Sequence, residues 1–320
     1  VERHRIILDL EGGIDGAIAL IYALLAPDIA LEGVTSVRGE TSAFIAAEQA
    51  LRIAQLCAPG SGLRAAAGAD APAPRQGRIG PAAAGHGPTG LGGVLLPPAE
   101  GQPLRETAAE FVARLAGERP GELAYVLAGR ATNWPLALRQ DPALAGKLRR
   151  VVQLGGAVLV SGDATPVAEA NFRADPEAAD ALLQTAPDLT AVGLDASAKL
   201  AIAPSRLGLI EPIVPPAQAR ALRLLRRLLD YRVRHPLRDG DPIGLAPLPG
   251  VAALLAATRP ELFAYRVWPA RVAAEGELTA GMVIADRRRR PSLPGGRPVR
   301  FAVDLDTEAA LHAFLSVWVR

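Results

Sequence analysis

The sequence predicts an α/β protein, an open and mostly parallel sheet with helices on both faces. Two observations carry this. Apolar runs of strand length alternate with longer segments whose apolar residues recur at i, i+3, i+4 and i+7, starting within the first ten residues. The early runs are continuous, without polar residues at alternate positions, which is the pattern of strands covered on both sides.

In chain order, Ile6, Ile7 and Leu8, with Leu10 past Asp9, read as the first strand. Gly12-Gly13 make a turn, and Ile14, Ala17, Ile18, Leu20, Ile21, Leu24 and Leu25 form a helical stripe. Ile29–Val37 is a second strand that ends at Arg38-Gly39-Glu40, and Thr41–Cys57 a helix. Gly60–Gly101, rich in Gly, Pro and Ala, reads as a long loop over the sheet edge. A helix over Leu104–Ala116 leads to a strand over Glu122–Leu127, then to Ala128–Asn133 and a helix to about Arg139. Val151–Leu154 and Leu189–Leu194 are strands, with a helix over Asp175–Gln184 between them. Pro216–His235 is amphipathic, with Leu222, Leu225, Leu228 and Leu229 opposite Arg223, Arg226 and Arg227. A helix follows over Val251–Ala257. The period then shifts towards two, giving strands over Tyr265–Ala273, Met282–Ala285 and Val299–Val303 before a closing helix over Thr307–Trp318. No repeat or linker interrupts the pattern, so residues 1–320 are expected to form one domain with insertions.

Composition excludes several function classes. A net charge of +2 gives no electrostatic case for nucleic acid, and Arg287–Arg290 reads as a solvated loop. A single cysteine, Cys57, leaves no internal disulfide and no cysteine-based zinc site. No apolar run reaches the roughly 18 residues of a membrane span. The first apolar run is only a strand long, too short for a secretory leader, so the expected setting is cytoplasmic.

The organising stretch is Arg5–Gly16. It puts Asp9 and Glu11 at the carboxyl end of the first strand and Asp15 at the start of the first helix, the edge where open α/β sheets bind ligands. On spacing alone, these acids read equally as cap and turn residues or as a site that calls for a cation or a hydroxyl-rich ligand.

Asp9-Leu10-Glu11-Gly12-Gly13-Ile14-Asp15-Gly16 resembles Asp-x-Asp-Pro-Gly-x-Asp-Asp, the N-terminal signature of the inosine-uridine-preferring nucleoside hydrolase family. Further matches follow in the family's order: Gly33–Glu40, His86–Gly93, Gly129–Asn133, Leu154–Ala157, Asp163–Asn171 with Asp175–Ala179, and Gly276–Met282. The resemblance implies a Rossmann-like nucleoside hydrolase fold and cleavage of the N-glycosidic bond of a ribonucleoside. It also implies a calcium ion that holds the attacking water and the ribose hydroxyls, and an oxocarbenium-like transition state stabilised by negative charge.

Carried over residue by residue, the resemblance makes Glu11 the catalytic base and a metal-binding acid, although the family has Asp there. The next metal acid falls on Gly16, the late one on Leu248, and the carbonyl ligand on Ala128. These vestigial positions predict weak or absent calcium binding and low or absent ordinary nucleosidase activity. No cofactor is expected unless Asp241, in Gly240-Asp241-Pro242, or another group rebuilds the calcium site. Ribose binding falls to Asp15, Glu40, Asp163, Glu169 and Asn171, with Glu40 and Asp163 where the family has Asn. Asp9 supports the metal acids, and His86 belongs to the rim. Arg38 and Arg130 stand where the family rarely has arginine. One of them is expected near the vacated calcium position, paired with Glu11 or Asp15. Trp134 and Trp268 read as packing residues more than as base-stacking ones.

The resulting expectation is a nucleoside hydrolase-like protein acting on a ribonucleoside or related riboside, with no nucleic-acid or membrane partner. A homo-oligomer, dimer or tetramer, is implied by the family. The alternative is a catalytically silent ribose-binding or scaffold protein of the same fold.

Overall fold

The computed structural model describes residues 3–70, 86–87, 89–236 and 242–319. β1 (His4–Leu10) is an interior strand of the sheet, third from one edge. Its Ile6, Leu8 and Leu10 enter one apolar layer and Ile7 the other, which is why the run shows no polar alternation. α1 (Ile14–Leu25), β2 (Ile29–Ser36), α2 (Ala43–Cys57) and the short β3 (Ala65–Ala67) carry the chain to one edge of the sheet. Ser42 caps α2 by accepting from the Ile45 N–H. β3 lies inside the segment expected as a long loop, and it adds to the sheet because Ala65–Ala67 pair in parallel with β2.

The chain then returns to the other side of β1. α3 (Ala108–Glu118) starts later than the expected Leu104, because Thr107 and Glu110 form a reciprocal capping box there. β4 (Leu123–Leu127) pairs in parallel with β1, so the strand order reverses between them. α4 (Asn133–Gln140) and α5 (Leu144–Lys147) lead to β5 (Arg150–Leu154). α6 (Ala170–Ala174) and α7 (Pro176–Thr185) precede β6 (Leu189–Val192). That strand stops at Gly193, where α8 (Leu194–Ser197) begins, instead of running on to Leu194.

β7 (Ala201–Ile202), α9 (Leu207–Ile210), α10 (Ala219–Arg234) and β8 (Ala246–Pro247) form a layer beside α1, β7 and β8 making a small antiparallel pair. α11 (Pro249–Thr258) is buried at every position, against α1 and the strands β4 and β5, so it has no polar face. β9 (Phe263–Val272), β10 (Val283–Ala285) and β11 (Arg297–Leu305) finish the sheet, and α12 (Thr307–Ser316) closes the described chain.

The sheet order is β10-β9-β11-β6-β5-β4-β1-β2-β3, with β9 antiparallel to both its neighbours, β10 and β11, and the other pairings parallel. One apolar layer is built with α1, α2, α10, α11 and α12, the other with α3, α4 and α7. Arg287–Arg290 are exposed, and Arg288 folds back onto Asp286.

Candidate active site

A cavity of about 290 Å³ opens at the carboxyl ends of the strands, beside the β1/β4 reversal. Such a crevice is where open α/β sheets bind ligands. Glu11, Asp15, Glu40, His86, Asp163, Glu169 and Asn171 all line it, together with Gly16, Ala128 and Arg130.

Glu11 follows β1. Its Oε1 accepts from the Arg130 backbone N–H and from Arg130 Nε, the latter at 3.0 Å. Both side chains are largely buried. Glycines make this fit. A Cβ on Gly129 would stand 2.2 Å from Glu11 Cγ, and one on Gly39 would stand 2.4 Å from Glu11 Cβ. The longer Glu side chain therefore lies in a slot that any larger residue at 39 or 129 would fill.

Asp15 sits in the first turn of α1 with Oδ1 3.4 Å from Arg232 Nε. Arg232 is 1% exposed and lies on the apolar stripe of α10. His86 takes the Ile14 N–H at Nδ1, 3.0 Å away, so the neutral ring carries its proton on Nε2. That nitrogen lies 4.0 Å from Glu40 Oε1. His86 is thus held inside the cavity, beyond the rim role that the family resemblance implies.

On the opposite wall, Glu169 caps α6. Its Oε1 accepts from the Asn171 N–H at 3.0 Å, and its Oε2 from Gly156 and Phe172 at 3.0 and 3.2 Å. Asp163 accepts from the Ala170 N–H at 2.8 Å, and Asn171 Nδ2 donates to the Leu154 carbonyl at 2.9 Å. Gln153, which no sequence motif marks, is fully buried. Its Nε2 donates to the carbonyls of Gly129 and Leu154, tying two rims of the cavity together.

Asp9 does not line the cavity; it is fully buried with β1. Its Oδ1 accepts from Thr35 Oγ1 at 2.5 Å and Asn133 Nδ2 at 2.9 Å. Burial pushes its carboxyl up to about 7, against those two hydrogen bonds and with a further push from Glu11. It lies beneath the site, outside the shared pocket.

The structure also places the residues whose roles were most open. Arg38 is exposed and makes no ion pair among the described residues, because it leaves the sheet after β2, on the solvent side. Leu248 is 1% exposed in the apolar layer, and its neighbour Pro249 lines the cavity in its place. Asp241 lies outside the described residues. Trp134 is fully buried with its Nε1 on Thr185, and Trp268 packs beside Phe301 on the edge strands.

Calcium takes six to eight oxygens, several of them from carboxylates. Here Glu11 and Asp15 each face a guanidinium, Gly16 has no side chain, and Leu248 is apolar and turned into the core layer. Among the described residues, no three or more His, Cys, Asp or Glu converge as a metal set. The donor set among the described residues does not fit calcium.

Residues 6–312 match the family model described as inosine-uridine preferring nucleoside hydrolase. Uridine nucleosidase 1 of Arabidopsis thaliana is 31% identical over 326 aligned residues, covering 97% of this chain and 92% of that protein. A solved plant nucleoside hydrolase superposes with a TM-score of 0.87 at 25% identity over 99% of both chains. A purine-preferring ribonucleoside hydrolase from Gardnerella vaginalis does so with the same score and identity over 98% of both.

Proposed function

Because this chain belongs to the inosine-uridine preferring nucleoside hydrolase family, we propose that its cavity takes a ribonucleoside or related riboside by the ribose and that the chain hydrolyses the N-glycosidic bond. The observation that carries this reading is the meeting of Asp15, Glu40, Asp163, Glu169 and Asn171 in one cavity with Glu11. The relatives' names differ in base, uridine for one and purine for another. What they share is the riboside, and the proposal is placed at that level.

In this reading, water attacks C1′ as the C1′–N bond breaks, and the bonding pair leaves with the base nitrogen. Positive charge develops on C1′ and the ring oxygen, where preorganised carboxylates stabilise it. Asp15, Glu40, Asp163, Glu169 and Asn171 bind and orient the ribose hydroxyls. Glu11 has Oε1 occupied by Arg130, which leaves Oε2 to accept the water's proton. His86, protonated on Nε2, is a donor within the same cavity.

Ribose release from a panel of purine and pyrimidine ribonucleosides tests the reading. Release that disappears in Glu11→Gln supports it. A panel that neither binds nor reacts overturns it.

The second reading is a silent riboside-binding protein. The Glu11–Arg130 ion pair favours it, since it commits to a guanidinium the carboxylate that would otherwise meet the water. Nucleoside binding without ribose release selects it. The family also supports a homo-oligomer, dimer or tetramer, to be checked by light scattering. A single domain and a cytoplasmic setting complete the proposal; the lone buried Cys57 supports the latter.

A further inference from the structure

We propose that Arg130 and Arg232 are the fixed cations of this pocket, so that a riboside is held there without calcium. The inference rests on the riboside reading above and adds what neutralises the site.

The two arginines come from different parts of the fold. Arg130 follows β4, two residues after Ala128, the carbonyl that the family resemblance assigns to the metal. Arg232 comes from the last turn of α10. Each takes one of two carboxylates that line the cavity, Arg130 on Glu11 at 3.0 Å and Arg232, which stands behind the lining, on Asp15 at 3.4 Å. A divalent cation placed among these four groups would meet two guanidinium charges in a partly buried, weakly screened site. Metal and arginines therefore exclude one another.

Arg130 also has a donor to spare. Its side chain is 12% exposed and lines the cavity, its Nε and backbone N–H are on Glu11, and its Nη1 is buried without a hydrogen-bond partner among the described residues. A buried guanidinium N–H without an acceptor is unfavourable; Nη1 itself is closed off, so a ribose hydroxyl or a water meets the guanidinium through the small part of the side chain that opens on the cavity. The remaining acids are already oriented from the protein side. Asp163 and Glu169 each accept backbone N–H groups at α6. The cavity is thus arranged before any ligand or ion arrives.

Guanidinium and calcium are not equivalent in chemistry. A guanidinium supplies charge and directed donors, but it does not lower the pKa of a bound water as a metal does. The arrangement supports binding more than water activation, so affinity is the proper first readout.

The test is calorimetric titration of inosine and of uridine into the protein in EGTA and again in calcium, with calcium alone titrated into the wild type. The expected results are no saturable calcium binding and a nucleoside Kd equal in both buffers. Arg130→Met should weaken nucleoside binding by about tenfold or more, as expected for loss of a charge-assisted hydrogen bond. Arg130→Lys, which keeps the charge without the planar fork, should fall between, and circular dichroism checks that each variant is folded. Saturable calcium binding by the wild type, a Kd that worsens in EGTA, or an unchanged Kd in folded Arg130→Met overturns the inference while leaving the riboside reading in place. Binding of neither nucleoside in either buffer overturns the riboside reading, and the inference falls with it.

Discussion

Arg232 Nε lies 3.4 Å from Asp15 Oδ1 and joins the last turn of α10 to the first turn of α1. Each charge sits at the helix end whose dipole favours it, the acid at an N-terminus and the base at a C-terminus. Arg232 is almost wholly enclosed, so its pairing with Asp15 is weakly screened.

Arg232→Met should therefore destabilise the fold by roughly 3 kcal/mol, the scale of a broken buried ion pair. Pairing it with Asp15→Asn should recover part of that loss. Urea midpoints of the two single variants and the double variant measure the coupling. A coupling energy near zero would show that the two groups do not interact in solution.

Gly129→Ala should dislodge Glu11, because the new Cβ would stand 2.2 Å from Glu11 Cγ. The overpacking is worth about 1–3 kcal/mol of stability. The expected signature is a folded protein that has lost nucleoside affinity, read by thermal unfolding and by calorimetry.

Gly16→Asp should be tolerated. Its Cβ would come to 3.3 Å from Leu10 Cδ2, close but only to the end of a side chain. Replacing a helical glycine and adding an acid in the first turn should together offset the crowding to within about 1 kcal/mol. By itself the variant should still not bind calcium in a calorimetric titration, since Glu11 remains on Arg130 and Asp15 on Arg232. Leu248→Asp, the other reversion suggested by the family pattern, should instead destabilise by about 3 kcal/mol or more, because it places a carboxylate in the apolar layer.

Burial pushes the Cys57 thiol from 9.0 up to about 12. The folded protein therefore keeps a proton that the unfolded chain loses above its ordinary thiol pKa. The stability associated with Cys57 is fully present below about pH 9 and is lost as pH rises towards 12. Cys57→Ala should flatten the fall of the urea midpoint across that range. In the wild type, a thiol reagent at neutral pH should react only after unfolding.

The strands most legible in the sequence were those covered on both faces. β1, β4 and β5 show as nearly continuous apolar runs because two layers bury alternate residues of one strand. β3 was hidden, since Ala65–Ala67 has no pattern of its own and becomes a strand only by pairing with β2. The residues that the resemblance assigns to ribose were legible as a motif, and Asp15, Glu40, Asp163, Glu169 and Asn171 do line one cavity. Gln153 was hidden because one polar residue in a buried strand says nothing of what it will hold. The signal for Arg232 was its place on the stripe of Ala221, Leu225 and Leu228, where a charge needs a buried partner.

By itself, then, the sequence determined the α/β alternation, the family pattern and the absence of a side-chain oxygen at positions 16 and 248. Only the tertiary structure decided between Arg38 and Arg130, two arginines that look alike as letters. Arg130 leaves β4 beside the end of β1, where its own N–H already binds Glu11, so its guanidinium is held within reach. Arg38 leaves β2 into solvent. The tertiary structure likewise brought Arg232 to Asp15. Ion pairing depends on distance in space, and that distance is set by how α10 packs on α1.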